Sequence, residues 1–254
     1  MATKQASAQT VARAIRLLRL VASSRSRNLR LIDIAEAAGL DKSTAHRLLA
    51  RLVDERMLVR DPGERGYRLG PLLHEFGLAA LPETPLREVS EAALRQLAQR
   101  TGDMAFLIGR SGYETVCLNR IAGNFEIQTL TRSVGDRHPL GVGAGGLAIL
   151  AALSDREVCL VLNAIEHQLP RYYLSKEIIW ERLRHARQTG RAVDEGHAAL
   201  DITAVGRAIR GKNDTPIAAV FVASISSRMQ PRHLTMAHQS LMTCAAAIEA
   251  ELSR

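Results

Sequence analysis

LIDIAEAAGLDKSTAHRLLARL (31–52) decides how the chain folds. Two helices that cross at a sharp angle need a small residue where they touch, and Ala35 supplies it. The turn between them needs a residue tolerant of positive φ, and Gly39 stands there. Apolar side chains must fill the shared core, and Ile34, Leu40, Ala45 and Leu48 fall at the required offsets. The spacing predicts a helix over 31–38 and a second over 41–55, arranged as a helix-turn-helix. A helical hairpin in an ordinary core is the competing reading.

A reading helix that starts at Lys42 would put its first turns into the major groove of double-stranded DNA. Lys42, Ser43, Thr44, His46 and Arg47 form its exposed set. Arg47 or His46 would meet base edges, since arginine pairs well with guanine O6 and N7. Ser43, Thr44 and Arg51 suit phosphate. MLVRDPGERGYRL (57–69) follows, with strands at Met57–Arg60 and Gly66–Leu69 around an Asp-Pro-Gly turn. It reads as a wing, with Tyr67 packed beneath it. Arg60, Arg65 and Arg68 would reach backbone phosphate or the minor groove, setting affinity and salt dependence.

Charge agrees with this reading. Residues 1–70 hold 14 Lys/Arg against 7 Asp/Glu, while residues 71–254 hold 20 against 19. Nearly all of the net +8 therefore lies in the first quarter of the chain. A basic small domain joined to a neutral large one suggests a nucleic-acid reader attached to something else.

The remainder divides by periodicity. Residues 1–9 read as disordered. Thr10–Ala22 reads as a helix, with Val11, Ala14, Ile15, Leu18 and Val21 on one face and arginines 13, 16 and 19 on the other. Pro71–Leu81 is an apolar helix closed by Pro82 and Pro85, whose Leu72, Leu73, Phe76 and Ala80 would meet a second subunit or pack within the chain. The expected domains are 1–70 (DNA-binding), 71–85 (linker helix) and 86–254. The last opens with a helix at Glu88–Thr101. Strands at 104–110, 115–121 and 125–130 follow, then helices at 144–152, 155–168 and 176–189. Strands at 191–194, 202–209 and 217–225 precede a final helix over 234–252. The class is α+β with an antiparallel sheet.

Other chemistry finds little support. Cys117, Cys159 and Cys244 form no CxxC pair, which suits a reduced, cytoplasmic setting. There is no HExxH or HxxxH spacing, so no metal is expected. The glycines at 141, 143, 145 and 146 lack the Lys-Ser/Thr of a phosphate loop, and no G-x-S-x-G occurs. No cofactor and no enzymatic activity are expected. The longest apolar runs, Leu147–Leu153 and Ile217–Ser224, fall far short of the roughly 20 residues that span a bilayer. No signal-peptide stretch occurs, so a soluble protein with no membrane partner is expected.

Over nearly its full length the sequence resembles the IclR family of bacterial transcription regulators. LIDIAEAAGLDKSTAHRLLARLVDERMLVRD (31–61) and YRLGPLLHEFG (67–77) carry the likeness to its winged helix. VGDRHPLGVGAGGLAILAAL (134–153), ARQTGRAVDEGHAALDITAVGRAI (186–209) and IAAVFVASISSRM (217–229) carry it in the second half. The resemblance implies a GAF-like effector-binding domain, homodimers or homotetramers, a palindromic operator, and control of catabolic genes by a small organic acid or aromatic compound. It implies that the amides of Gly143 and Ala144, with Gly145, hold a ligand carboxylate, and that Asp194 is the pocket aspartate. Ala204 stands at a cysteine-like position, and Phe221 and Ala223 at two serine positions. Those exchanges remove polar partners and imply a more apolar ligand. Two alternatives stay open: a ligand-free regulator whose second domain only oligomerises, and an enzyme with a fused DNA-binding domain.

Overall fold

The computed structural model describes residues 2–23, 29–61, 63, 66–80, 86–127 and 132–253. The chain forms two compact units, Met1–Glu83 and Thr84–Arg254.

The first unit contains α1 (Ala2–Ser23), β1 (Leu29–Arg30), α2 (Leu31–Ala38), α3 (Lys42–Asp54), β2 (Leu58–Arg60), β3 (Gly66–Leu69) and α4 (Pro71–Ala79). Gly39 ends α2 at φ +62°, and Leu40 N–H donates back to the Ala35 carbonyl. The turn therefore uses left-handed backbone that glycine adopts without penalty. Asp41 then caps α3, its Oδ1 accepting from Thr44 N–H at 2.8 Å. Leu17, Val21, Ile34, Ala38, Leu49, Leu52, Leu58 and Tyr67 form the core.

Three expectations change here. Helix α1 begins at Ala2, where a disordered segment was expected; alanine, lysine and glutamine all favour helix. The buried seam of α1 runs through Leu17 and Val21, with Ala14 and Leu18 partly covered, whereas Val11 is 60% exposed. Within α3 the fully buried leucine is Leu49, and Leu48 only packs partly against it. The sequence reading also missed β1, two residues that pair with β3 and complete an antiparallel sheet in the order β1-β3-β2.

The second unit begins with α5 (Leu86–Thr101), β4 (Met104–Ser111), β5 (Glu114–Ile121) and β6 (Arg137–Pro139). Then come α6 (Gly143–Ala151), α7 (Asp155–Ile165), a 3₁₀ stretch at Glu166–Tyr172, α8 (Lys176–Thr189) and β7 (Ala192–Glu195). It ends with β8 (Ile202–Arg210), β9 (Pro216–Ile225) and α9 (Pro231–Leu252). The six strands form one antiparallel sheet in the order β6-β5-β4-β9-β8-β7. Helices cover both faces. Phe106, Ile108, Ala219 and Phe221 point to the side of α6, α7 and α8, while Ala105, Leu107, Val220 and Val222 point to α5 and α9. Burial on both faces explains why β4 and β9 read as near-continuous apolar runs.

Two further expectations change. The helix foreseen over 155–168 gives way to the 3₁₀ stretch after Ile165; Pro170 lies in that stretch and has no N–H to give. The strand foreseen over 125–130 does not form in its described part, 125–127, and 128–130 lie outside the described residues. Instead Phe125 N–H donates to the Gly102 carbonyl at 2.9 Å, and its ring lies 4.1 Å beneath the Arg228 guanidinium. Arg228 and His233 both bind the fully buried Asp103, at 2.8 and 2.6 Å, tying the start of β4 to the start of α9.

Candidate functional site

Helix α3 is two-faced. Ala45, Leu49 and Leu52 are buried, while Lys42, Ser43, His46, Arg47 and Arg51 are exposed. Lys42, Ser43, His46 and Arg47 line one shallow groove together with Leu31, the first residue of α2. Among the described residues Lys42, His46 and Arg47 enter no ion pair, and all three are exposed.

The other predicted groups of α3 are already engaged. Ser43 donates to Asp41 Oδ1 at 2.7 Å, and Thr44 is half-buried beside the same cap. The Ser43 hydroxyl and the Thr44 amide hold the Asp41 carboxyl well below the usual carboxylate range. Arg51 lies in the last turn, paired with Asp54 at 3.5 Å and Glu55 at 3.3 Å. In the wing, Arg60 and Arg68 are exposed and Tyr67 is buried beneath them. Arg65 lies outside the described residues. Sequence reading passed over Arg30, an exposed cation on β1 whose strand pairs opposite Gly66 and Tyr67. Its only signal was position, immediately before α2.

In the second unit, strand register gathers residues that the sequence holds far apart. Asp194 on β7 lies opposite Ala204 on β8, and Ala204 lies opposite Ala223 on β9. Phe221 stands two residues back on β9, so it shares their face. Its ring stacks on Phe106 across the strands at 4.6 Å and 7°. The N-terminus of α6 rests on this row. Gly206 is bare because the Ala144 carbonyl lies 2.8 Å from where a Cβ would stand. Asp194, Ala204, Phe221 and Ala223, with His138, Gly143, Ala144, Ala198, Ala199 and Ile202, line a cavity whose free volume is about 20 Å³. That is room for about one water.

Of the predicted set, Gly143, Ala144, Asp194, Ala204, Phe221 and Ala223 converge on this cavity. Gly145 does not line it. A Cβ there would stand 2.6 Å from Ile108 Cδ1 and 2.9 Å from Phe221 Cδ1, so this glycine packs against the sheet. Asp194 is also committed: Oδ1 accepts from Arg182 Nη2 at 2.6 Å, and Oδ2 accepts from Ala198 N–H at 3.0 Å.

Sequence reading missed Arg132. It is 3% exposed, lines the cavity, and donates to Thr115 Oγ1 at 3.2 Å. Its guanidinium carbon lies 5.6 Å above the Phe221 ring. Burial pushes its pKa below the ordinary arginine value, a shift opposed by the nearby Asp194 and Asp136 carboxylates. A lone arginine before a glycine-rich turn carries no spacing signal that could have singled it out. Among the described residues no cluster of three or more His, Cys, Asp or Glu could hold a metal ion, and no helix is long and apolar enough to cross a membrane.

A winged helix-turn-helix, followed in one chain by an antiparallel sheet with helices on both faces, is the build of a DNA-binding transcriptional regulator. Comparison makes this specific. Residues 10–62 match the IclR helix-turn-helix domain, and residues 78–250 match the bacterial transcriptional regulator IclR C-terminal domain. The chain belongs to the IclR family. It is 27% identical over 246 residues to the HTH-type transcriptional regulator XynR of Escherichia coli, spanning 96% of this chain and 97% of that protein. An IclR transcriptional regulator from Alicyclobacillus acidocaldarius superposes with a TM-score of 0.76 at 27% identity, covering 95% of this chain and 98% of its own. An IclR homologue from Microbacterium hydrocarbonoxydans, solved in complex with 4-hydroxybenzoate, shares the fold at a TM-score of 0.73 and 24% identity, covering 96% and 99%.

Proposed function

We propose that this regulator is an oligomer, dimer or tetramer, that binds a palindromic operator in double-stranded DNA and changes its affinity when a small organic acid occupies the second unit. It would act in the cytoplasm on catabolic genes, without enzymatic activity. The observation that carries the reading is the exposed polar face of α3: the cations Lys42 and Arg47 beside His46 and Ser43, over a buried opposite face. That is the polarity a helix needs to lie in a major groove while staying fixed to its own domain. Arg60, Arg65 and Arg68 of the wing, with Thr44 and Arg51, complete the proposed contact set.

Residues 1–70 would form the DNA-binding domain, 71–85 the linker helix and 86–254 the effector domain. Within the linker, α4 leaves Phe76 half-exposed and Leu72 and Leu73 partly covered, a face suited to a second subunit. The ligand would bind at the cavity of Gly143, Ala144, Asp194, Ala204, Phe221 and Ala223. The 4-hydroxybenzoate complex of the Microbacterium homologue supports an aromatic or other small acid. A ligand that prefers one arrangement of the DNA-binding heads shifts the population toward it.

The test is a footprint on DNA upstream of the protein's own gene, across a salt series, with and without aromatic and aliphatic acids. The expected result is a protected two-fold site whose affinity falls steeply with salt and changes with one class of acid. Absence of any salt-sensitive attraction to duplex DNA would sink the reading. One observation favours the ligand-free alternative: the free volume of the cavity is only about 20 Å³. Acid-independent operator binding would decide for it.

A further inference from the structure

We propose that Arg56 is a positioning residue: it fixes the linker helix α4 to the end of the reading helix α3, so that the two turn as one body and the half-site spacing an oligomer accepts is set at this joint. The proposal rests on the DNA-reading role of α3, and it names the residue that holds the angle of that helix.

Helix α3 ends by folding back on itself. Met57 N–H donates to the Leu52 carbonyl and Arg56 N–H to the Val53 carbonyl, both at 2.9 Å. This closure needs left-handed backbone just past the cap at Glu55, and Arg56 stands there at φ +58°. Glycine takes that conformation without penalty, whereas a side chain strains it. The arginine does what glycine could not: its Nη2 reaches α4 and lies 2.8 Å from Glu75 Oε1.

The backbone of the same residue makes the rest of the joint. The Arg56 carbonyl accepts from Leu72 N–H at 3.3 Å, and the Met57 carbonyl accepts from Gly70 N–H at 2.8 Å. Leu72 lies in the first turn of α4, and no side chain caps that helix, so Arg56 answers an amide the helix itself cannot satisfy. One residue thus caps two helices, α3 through its N–H and α4 through its carbonyl. The approach leaves no room for a methyl group. A Cβ on Gly70 would stand 2.1 Å from the Arg56 carbonyl oxygen and 2.8 Å from the Met57 carbonyl carbon. Gly70 has φ −91°, which any residue adopts, so closeness alone demands glycine there. The backbone bonds pin the start of α4 but leave it able to swing about that point. Glu75 lies nearly one turn further along, and the ion pair fixes a second point. Both side chains are at least half exposed, so the pair adds little to stability. Its effect is on direction.

Two measurements test this on the full chain. The first is the distance between nitroxides placed by Ala50→Cys in α3 and Ala79→Cys in α4, both exposed positions, with the exposed Cys159→Ser and dilution by unlabelled chain. The intact joint should give one narrow distance. Arg56→Gly should broaden it without lowering the melting temperature, because glycine relieves the strained backbone. A residue that served only as a cap would keep the distance narrow after that change. Glu75→Gln should broaden it likewise, and serves if Arg56→Gly does not fold. The second measurement is affinity for the footprinted operator with one or two base pairs inserted between its half-sites. The intact chain should lose about tenfold, and either variant less than about threefold, with equal affinity of all three for a single half-site. The proposal is overturned if the distance is already broad in the intact chain, if it stays narrow in both variants, or if the variants keep the full spacing penalty. Failure of the intact chain to bind any duplex would overturn the DNA reading as well, whereas an unchanged spacing penalty would overturn the joint alone.

Discussion

The two units handle positive charge in opposite ways. On α3 and the wing, Arg47, Arg60 and Arg68 are exposed and, among the described residues, enter no ion pair. In the second unit, Arg182 and Arg132 are withdrawn from water, the first paired with Asp194 and the second held by the Thr115 hydroxyl and the Val142 carbonyl. An exposed arginine costs the fold almost nothing and keeps its full charge for a polyanion. A buried one must be compensated, by the protein or by something the protein binds. The head can therefore exchange its surface residues freely, whereas the cavity cannot lose a charge without consequence.

The largest test of that contrast is Asp194→Ala. It strands Arg182, whose side chain is 14% exposed and whose Nη1 already has no partner among the described residues. Breaking a buried pair from one side costs about 3–5 kcal/mol. The melting temperature should fall by roughly 10 °C, and Asp194→Ala combined with Arg182→Met should recover much of that. A loss below about 1 kcal/mol would mean that the pair behaves like a surface one, and the contrast between the units would fail.

Next in size is Arg47→Ala. Loss of a bidentate base contact costs about 1–3 kcal/mol, or roughly 5- to 150-fold in specific affinity. Melting temperature and oligomeric state should not change, since Arg47 is exposed and enters no ion pair among the described residues. Titration against operator and scrambled duplexes checks this. An unchanged preference for the operator would remove Arg47 from the reading face.

How much the sequence disclosed follows the same division. The head is local: Ala35, Gly39, Asp41 and Lys42 act within a few residues of one another, so spacing alone outlines it. The limits of α2 and β3 match the sequence reading residue for residue. What was misplaced there is fine detail: the start of α1, the two-residue β1, and the buried seams of α1 and α3, where several leucines and alanines leave more than one apolar stripe to choose from. The cavity is non-local. Asp194, Ala204 and Ala223 align through the register of three strands, which composition does not reveal. Those positions came from family resemblance, and Arg132 came from neither source. Its place beside Thr115, Val142 and the Phe221 ring is set by the fold, and only coordinates show that.

Smaller effects belong to the wing. Arg60→Ala and Arg68→Ala should each lower the slope of log affinity against log salt by about one, with weaker binding to all sequences alike. A change in base preference would turn these phosphate contacts into readers.

The smallest effect should come from Arg51, and it separates an exposed cation that is free from one that is occupied. Arg51 sits in the last turn of α3, where its charge suits the negative end of the helix, and it faces Asp54 and Glu55 at 3.5 and 3.3 Å. Exposed pairs of this kind contribute about 0–1 kcal/mol, so phosphate could capture the side chain, but only by releasing two carboxylates near the DNA. The net gain is therefore less than for Arg60 or Arg68, and Arg51→Ala should reduce the salt slope by less than one. Asp54→Asn with Glu55→Gln should strengthen DNA binding by freeing the same guanidinium. A full unit of slope lost in Arg51→Ala would show that the pairs open on DNA, and that exposure alone decides which arginines the head can use.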